Sequence, residues 1–103
     1  MVLAEQTYLL TRQFPSEELY GLISQIRRAA VSVPANIAEG YGRDNRGDYI
    51  RHLQIAQGSL KELETHLILA TRVNMATEQA IAPCLDREAV GKMLRALLRS
   101  LQR

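Results

Sequence analysis

One run of residues constrains this chain more than any other. Leu53, Ala56, Leu60, Leu63, Leu67 and Ala70 recur at alternating spacings of three and four, which lines one face of a long helix. Asn45 and Asp48 precede the run with the spacing of a helix-capping pair, Asp standing for the usual Glu or Gln. Asn74 follows it; this residue type tolerates the left-handed conformation that often closes a helix, and Met75 supplies the apolar contact that accompanies such a closure. A helix with one long apolar face needs other elements to cover that face.

The remaining segments read as those elements. Leu3, Thr7, Leu10 and Phe14 mark a first helix over roughly residues 2–13, short enough to depend on packing. Ser16, followed by Glu17 and Glu18, suits the start of a second. Its apolar positions Leu19, Leu22, Ile26, Ala29, Val33 and Ile37 keep helical phase straight through Pro34. Proline lacks an amide donor and crowds the carbonyl four residues back, here that of Ala30. Persistence of phase beyond it predicts a kinked helix rather than a terminated one, with Ser32 placed to satisfy a freed backbone group. The end is expected near Gly40 or Gly42, where a left-handed residue costs little. Thr77 can cap a last segment with the stripe Val90, Leu94, Leu97 and Leu101. Pro83 and the second cap Asp86 make it either one kinked helix or a short helix followed by a longer one.

With short connections between them, these segments predict one all-α domain over residues 1–103: an antiparallel up-down-up-down four-helix bundle, the second helix kinked at Pro34. Composition agrees. Apolar residues are 47%, aromatics only 5%, and Trp is absent, so aliphatic side chains fill the core.

The search for chemistry returns little. His52 and His66 lie about 20 Å apart on one helix, too far to share a metal. His66 and Glu62 are four apart and offer two ligands where a site needs three or four; an exposed helix pair is expected. Cys84, the single cysteine, lacks a local base and suits a small core position. The glycines of Glu39–Arg43 have neither the spacing nor the lysine of a phosphate-binding loop. No nucleophile elbow occurs. The expectation is a non-enzyme with no cofactor and no metal. One unpaired cysteine points to a reducing, cytoplasmic setting, and no stretch has the length of a membrane span.

The net charge is +2, too small by itself to mark a nucleic-acid binder, but positive charge gathers in the middle of the chain and at its C-terminus. Lys92, Arg95, Arg99 and Arg103 share one helical face away from the leucines. A solvated face with favourable helix-end charge accounts for them; so does a phosphate-binding stripe, to which Arg43, Arg46 and Arg51 would add. No aromatic residue is interleaved with these bases, so base stacking has little support. Arg27 and Arg28 point about 100° apart on their helix and are expected to pair with Glu62 or Glu64 or with another subunit, phosphate contact being the alternative. Asn36 and Glu39 are placed to satisfy the backbone groups that Pro34 frees or to brace the loop to the third helix, with a functional pocket there as the alternative. Gly58 and Ser59 suit a close helix crossing or a subunit contact.

The run SQIRRAAVSVPANIAEGYGR from Ser24 to Arg43, followed by IAQGSLKELETHLILA from Ile55 to Ala70, resembles the signature of a family of four-helix bundle proteins. That family was first noticed as products of intervening sequences inside bacterial 23S rRNA genes. The likeness covers Phe14 to about Leu101. It implies a kinked second helix and assembly into a homopentameric ring. It also implies kinship with the accessory protein of diversity-generating retroelements, a basic pentamer that binds a reverse transcriptase and nucleic acid. Relatives carry a longer first helix, so apolar surface is expected to be exposed on the others. The expected function is an oligomeric scaffold or adaptor that binds RNA or DNA through a basic surface repeated around a ring, or binds a protein partner. The alternative is an interaction or structural module with no nucleic-acid role.

Overall fold

The computed structural model describes residues 2–14, 21–85 and 88–102. It is all-helical: α1 Val2–Thr11, α2 Leu22–Tyr41, α3 Arg46–Arg72, α4 Glu78–Leu85 and α5 Glu88–Leu101. The molecule is elongated, 44 × 23 × 19 Å, because its two long helices form an extensive hairpin that the shorter ones line.

The two halves of that hairpin are covered by different elements. Toward the N-terminus of α2, Ile23, Ile26, Ala29 and Ala30 pack with Leu63, Leu67 and Ala70 of α3 under Ala4 and Leu10 of α1, Phe14, and Ile81 and Cys84 of α4. Toward the α2–α3 turn, Val33, Leu53, Ala56 and Leu60 pack with Leu94 and Leu98 of α5, and Ile37, Tyr49, Ile50, Leu97 and Leu101 are among the half-buried side chains around them. A Cβ on Gly91 would stand 3.9 Å from Leu60 Cδ2. α5 therefore packs on the half of α3 nearer the α2–α3 turn.

The helix ends follow local chemistry. Asn45 caps α3 by accepting from the Asp48 amide at 3.2 Å. Asn74 adopts φ 60°; its amide donates to Thr71 O at 3.1 Å and the Met75 amide to Ala70 O at 2.9 Å. These are the paired bonds that close a helix through a left-handed residue. Thr77 Oγ1 accepts from the Ala80 amide at the start of α4. Of the two alternatives for the last segment, the chain takes a short helix and then a longer one. The buried line of α5 is Gly91, Leu94 and Leu98, while Val90, Leu97 and Leu101 are half-buried; the expected stripe was rotated from the true one by about one position. Gly42 closes α2 with φ −77°, so no left-handed glycine ends that helix. The proposed caps Ser16 and Asp86, and Leu19 and Arg103, lie outside the described residues.

Candidate functional site

A run of polar contacts joins α2 to α3. Ser32 and Ser59 hydroxyls meet at 2.8 Å across the hairpin. Asn36, one turn along α2, donates through Nδ2 to Ser32 O at 2.9 Å and to Ser32 Oγ at 3.0 Å. Its Oδ1 faces His52 Nδ1 at 3.0 Å. Because the amide nitrogen is committed to Ser32, the Asn36 oxygen must accept, so His52 carries its proton on Nδ1. In the neutral ring Nε2 is then an acceptor. It is buried with no hydrogen-bond partner, and His52 as a whole is 8% exposed. A short distance along, a Cβ on Gly40 would stand 2.8 Å from His52 Cβ and 3.0 Å from Tyr49 Cδ1. The glycine is required by this close approach of the two helices rather than by backbone conformation.

Several expected partners are replaced by others. Arg27 turns toward α1, not α3: its Nε donates to Thr11 Oγ1 at 2.8 Å, and its guanidinium lies 4.7 Å from the Tyr8 ring centroid, a cation–π contact. Arg28 donates to Gln25 on its own helix at 2.7 Å. Glu62 meets His66 at 3.3 Å, the exposed pair expected of them, and Glu64 is half-buried on α3. Asn36 does bond the backbone beside Pro34, but Glu39 instead pairs with Arg43 at 2.6 Å. Ser32 serves the crossing to α3 and not a freed backbone group. Ser59 is buried at that crossing, whereas a Cβ on Gly58 would meet nothing within 4 Å; Gly58 is exposed and takes no part in it.

The basic residues expected to contact nucleic acid lie on two surfaces. Lys92, Arg95 and Arg99 are exposed on α5, with Arg95 folded back toward Gly91. Arg43, Arg46 and Arg51 are exposed around the α2–α3 turn. Tyr41 stands beside Arg43, 79% exposed, and Tyr49 lies between Arg46 and Arg51, which corrects the expectation that no aromatic residue accompanies these bases. Cys84 is buried, and burial raises its thiol pKa, opposed by a hydrogen bond with Thr7. Among the described residues no group of three metal-ligating side chains assembles, and no helix is long and apolar enough to cross a membrane.

No curated protein matches the chain. The family model described as 23S rRNA-intervening sequence protein matches residues 1–96, and the match takes in the α2–α3 hairpin, the polar contacts that join it and all but the end of α5. The chain belongs to the 23S rRNA-intervening sequence protein family.

Proposed function

We propose that the chain is a non-enzymatic, self-associating helical scaffold, a homopentamer acting in the cytoplasm, that binds RNA or DNA through the exposed side of α5. The observation that carries this reading is the asymmetry of that helix. Beyond its first residue, Glu88, the helix has no carboxylate and carries Lys92, Arg95 and Arg99 on its exposed side, while Leu94 and Leu98 seat it on α3. A modest charge repeated around a ring gains affinity through avidity and counterion release. Within the subunit, α4 and α5 together act as the fourth helix of an up-down bundle, and α2 bends at Pro34. The kinship with retroelement accessory proteins belongs to the same reading.

The test is mass by light scattering after size exclusion, at low and high salt, with and without mixed RNA. A pentamer that gains mass with RNA only at low salt is expected, as is loss of that gain in Arg95→Glu/Arg99→Glu with helicity unchanged. A second reading, a protein-interaction module without nucleic acid, is favoured by the exposed apolar side chains Val31, Ile55, Ile68 and Leu69 on the two long helices. A mass indifferent to RNA at every salt concentration supports it.

A further inference from the structure

We infer that Tyr41 is a stacking platform for an unpaired nucleobase, so that the nucleic acid bound is single-stranded at the α2–α3 turn; this rests on the polyanion-binding reading above. Tyr41 is the last residue of α2 and, among the described residues, the most exposed of the large hydrophobic side chains. Two contacts fix its place. The Tyr49 ring meets it edge-to-face, centroids 6.4 Å apart and planes at 84°. One residue back, the close approach of Gly40 to His52 and Tyr49 presses the end of α2 against the first turns of α3. An aromatic surface held this way is preorganised, so stacking on it loses little conformational entropy.

Charge divides the work between two surfaces. Around the turn, Arg43, Arg46 and Arg51 are offset by Glu39, Asp44 and Asp48, and Arg43 is already paired with Glu39. The turn is neutral overall and cannot draw in a polyanion by itself. The attraction comes from α5, whose exposed side carries Lys92, Arg95 and Arg99 and which packs on the half of α3 nearer this turn. A strand held by its phosphates along α5 is thereby led to Tyr41, where a ring is available for any base not already paired. A duplex offers no such base along its length and would use the α5 charge alone.

The experiment is an anisotropy titration of labelled oligouridine, oligothymidine and an RNA duplex of equal length. Each is measured across a range of salt against the full-length wild type, Tyr41→Phe, Tyr41→Ala and Arg95→Glu/Arg99→Glu. Tyr41→Ala should weaken single-strand binding roughly 5- to 100-fold, leave duplex binding as it was and leave the salt slope unchanged, since no phosphate contact is removed. Tyr41→Phe should bind as the wild type does. Equal weakening of the two single strands places the contact on the base face; weakening of oligouridine alone places it on the ribose and overturns the stacking assignment. If Tyr41→Ala binds single strands as well as the wild type does, while Arg95→Glu/Arg99→Glu loses them, the polyanion reading survives and the platform does not. If the wild type binds none of the three, both fall. If Tyr41→Ala instead lowers the assembly's mass by light scattering, Tyr41 is a contact between copies and the platform is overturned.

Discussion

Gly40 meets His52 across the α2–α3 hairpin, and the 2.8 Å between His52 Cβ and a Cβ built on Gly40 leaves no room for a methyl group. Both neighbours lie on packed helices, so Gly40→Ala should cost about 1–3 kcal/mol, as overpacking does, read as a lower urea midpoint at unchanged slope. The polar ladder beside it is vulnerable in another way. Asn36→Ala removes the acceptor from His52 Nδ1 on a ring whose Nε2 already lacks a partner. A cost of about 1–3 kcal/mol is expected for the stranded buried donor. Replacing Asn36 and His52 together by leucine should cost less than the two single changes summed, a coupling of about 0.5–3 kcal/mol in a double-mutant cycle; additive costs would show that the pair does not act as one. None of this pairing was legible in the sequence. Spacing along a helix reports which residues share a face, not which residue of another helix lies opposite. His52 is therefore read against His66 on its own helix, and Asn36 against Pro34 and the loop to the third helix, with no residue of α3 named as its partner. Cys84 was legible, because a small apolar residue on a helical stripe needs no partner to be placed. Its folded thiol is raised by burial above the ordinary value of 9.0, so the folded state holds its proton where the unfolded state has released it. The stabilising contribution is complete below the ordinary thiol pKa and is lost as pH rises through the folded value. The alkaline fall in urea midpoint should be smaller in Cys84→Ala than in the wild type, after allowing for the cavity.

Elements were legible wherever their signals are local. The capping of α3 by Asn45, the left-handed closure at Asn74 and the Thr77 cap each depend on a few consecutive residues, and each is found where the sequence placed it. Asn74→Gly should hold or raise stability, since glycine adopts φ 60° without strain. Asn74→Ala should lower it by about 1–2 kcal/mol, the penalty for a Cβ in the left-handed region, and the two thermal midpoints should separate accordingly. The rotation of α5 about its axis was not legible, because Leu97 and Leu98 are adjacent and equally apolar. Only the approach of Gly91 to Leu60 on α3 selects Leu98 for the core. Pro34 shows the same division. Its position inside α2 follows from the unbroken apolar phase on both sides, whereas the bend proposed there is a matter of axis geometry. If the proline sets that bend, Pro34→Ala should straighten α2 in a crystal structure and restore the hydrogen bond to the Ala30 carbonyl. An unchanged axis would assign the bend to packing.

At the scale of the whole molecule, α3 has two sides of different character. Its buried line, Leu53 through Ala70, is covered by the other helices, whereas Ile55, Gly58, Glu62 and Leu69 recur on its outer side and are exposed. Ile55 is 40% and Leu69 45% exposed, and a Cβ on Gly58 would stand in open space. A glycine between two apolar residues in mid-helix weakens the helix by about 1 kcal/mol relative to alanine, and no contact among the described residues offsets that cost. Close approach of a second copy would offset it, which makes this line the first place to seek the contact that builds the proposed pentamer. The α5 basic face lies on another helix, so assembly and polyanion binding should separate by mutation. Ile55→Glu/Leu69→Glu should lower the mass toward that of a monomer while circular dichroism keeps the helical signal. RNA binding should then weaken although every α5 cation is intact, because avidity disappears with the ring. Arg95→Glu/Arg99→Glu should do the converse, keeping the mass and losing the RNA. A monomer that binds RNA as tightly as the assembly would show that one copy of α5 suffices and that the ring adds nothing to recognition. An unchanged mass in Ile55→Glu/Leu69→Glu would move the subunit contact off this line, leaving Gly58 without a structural reason.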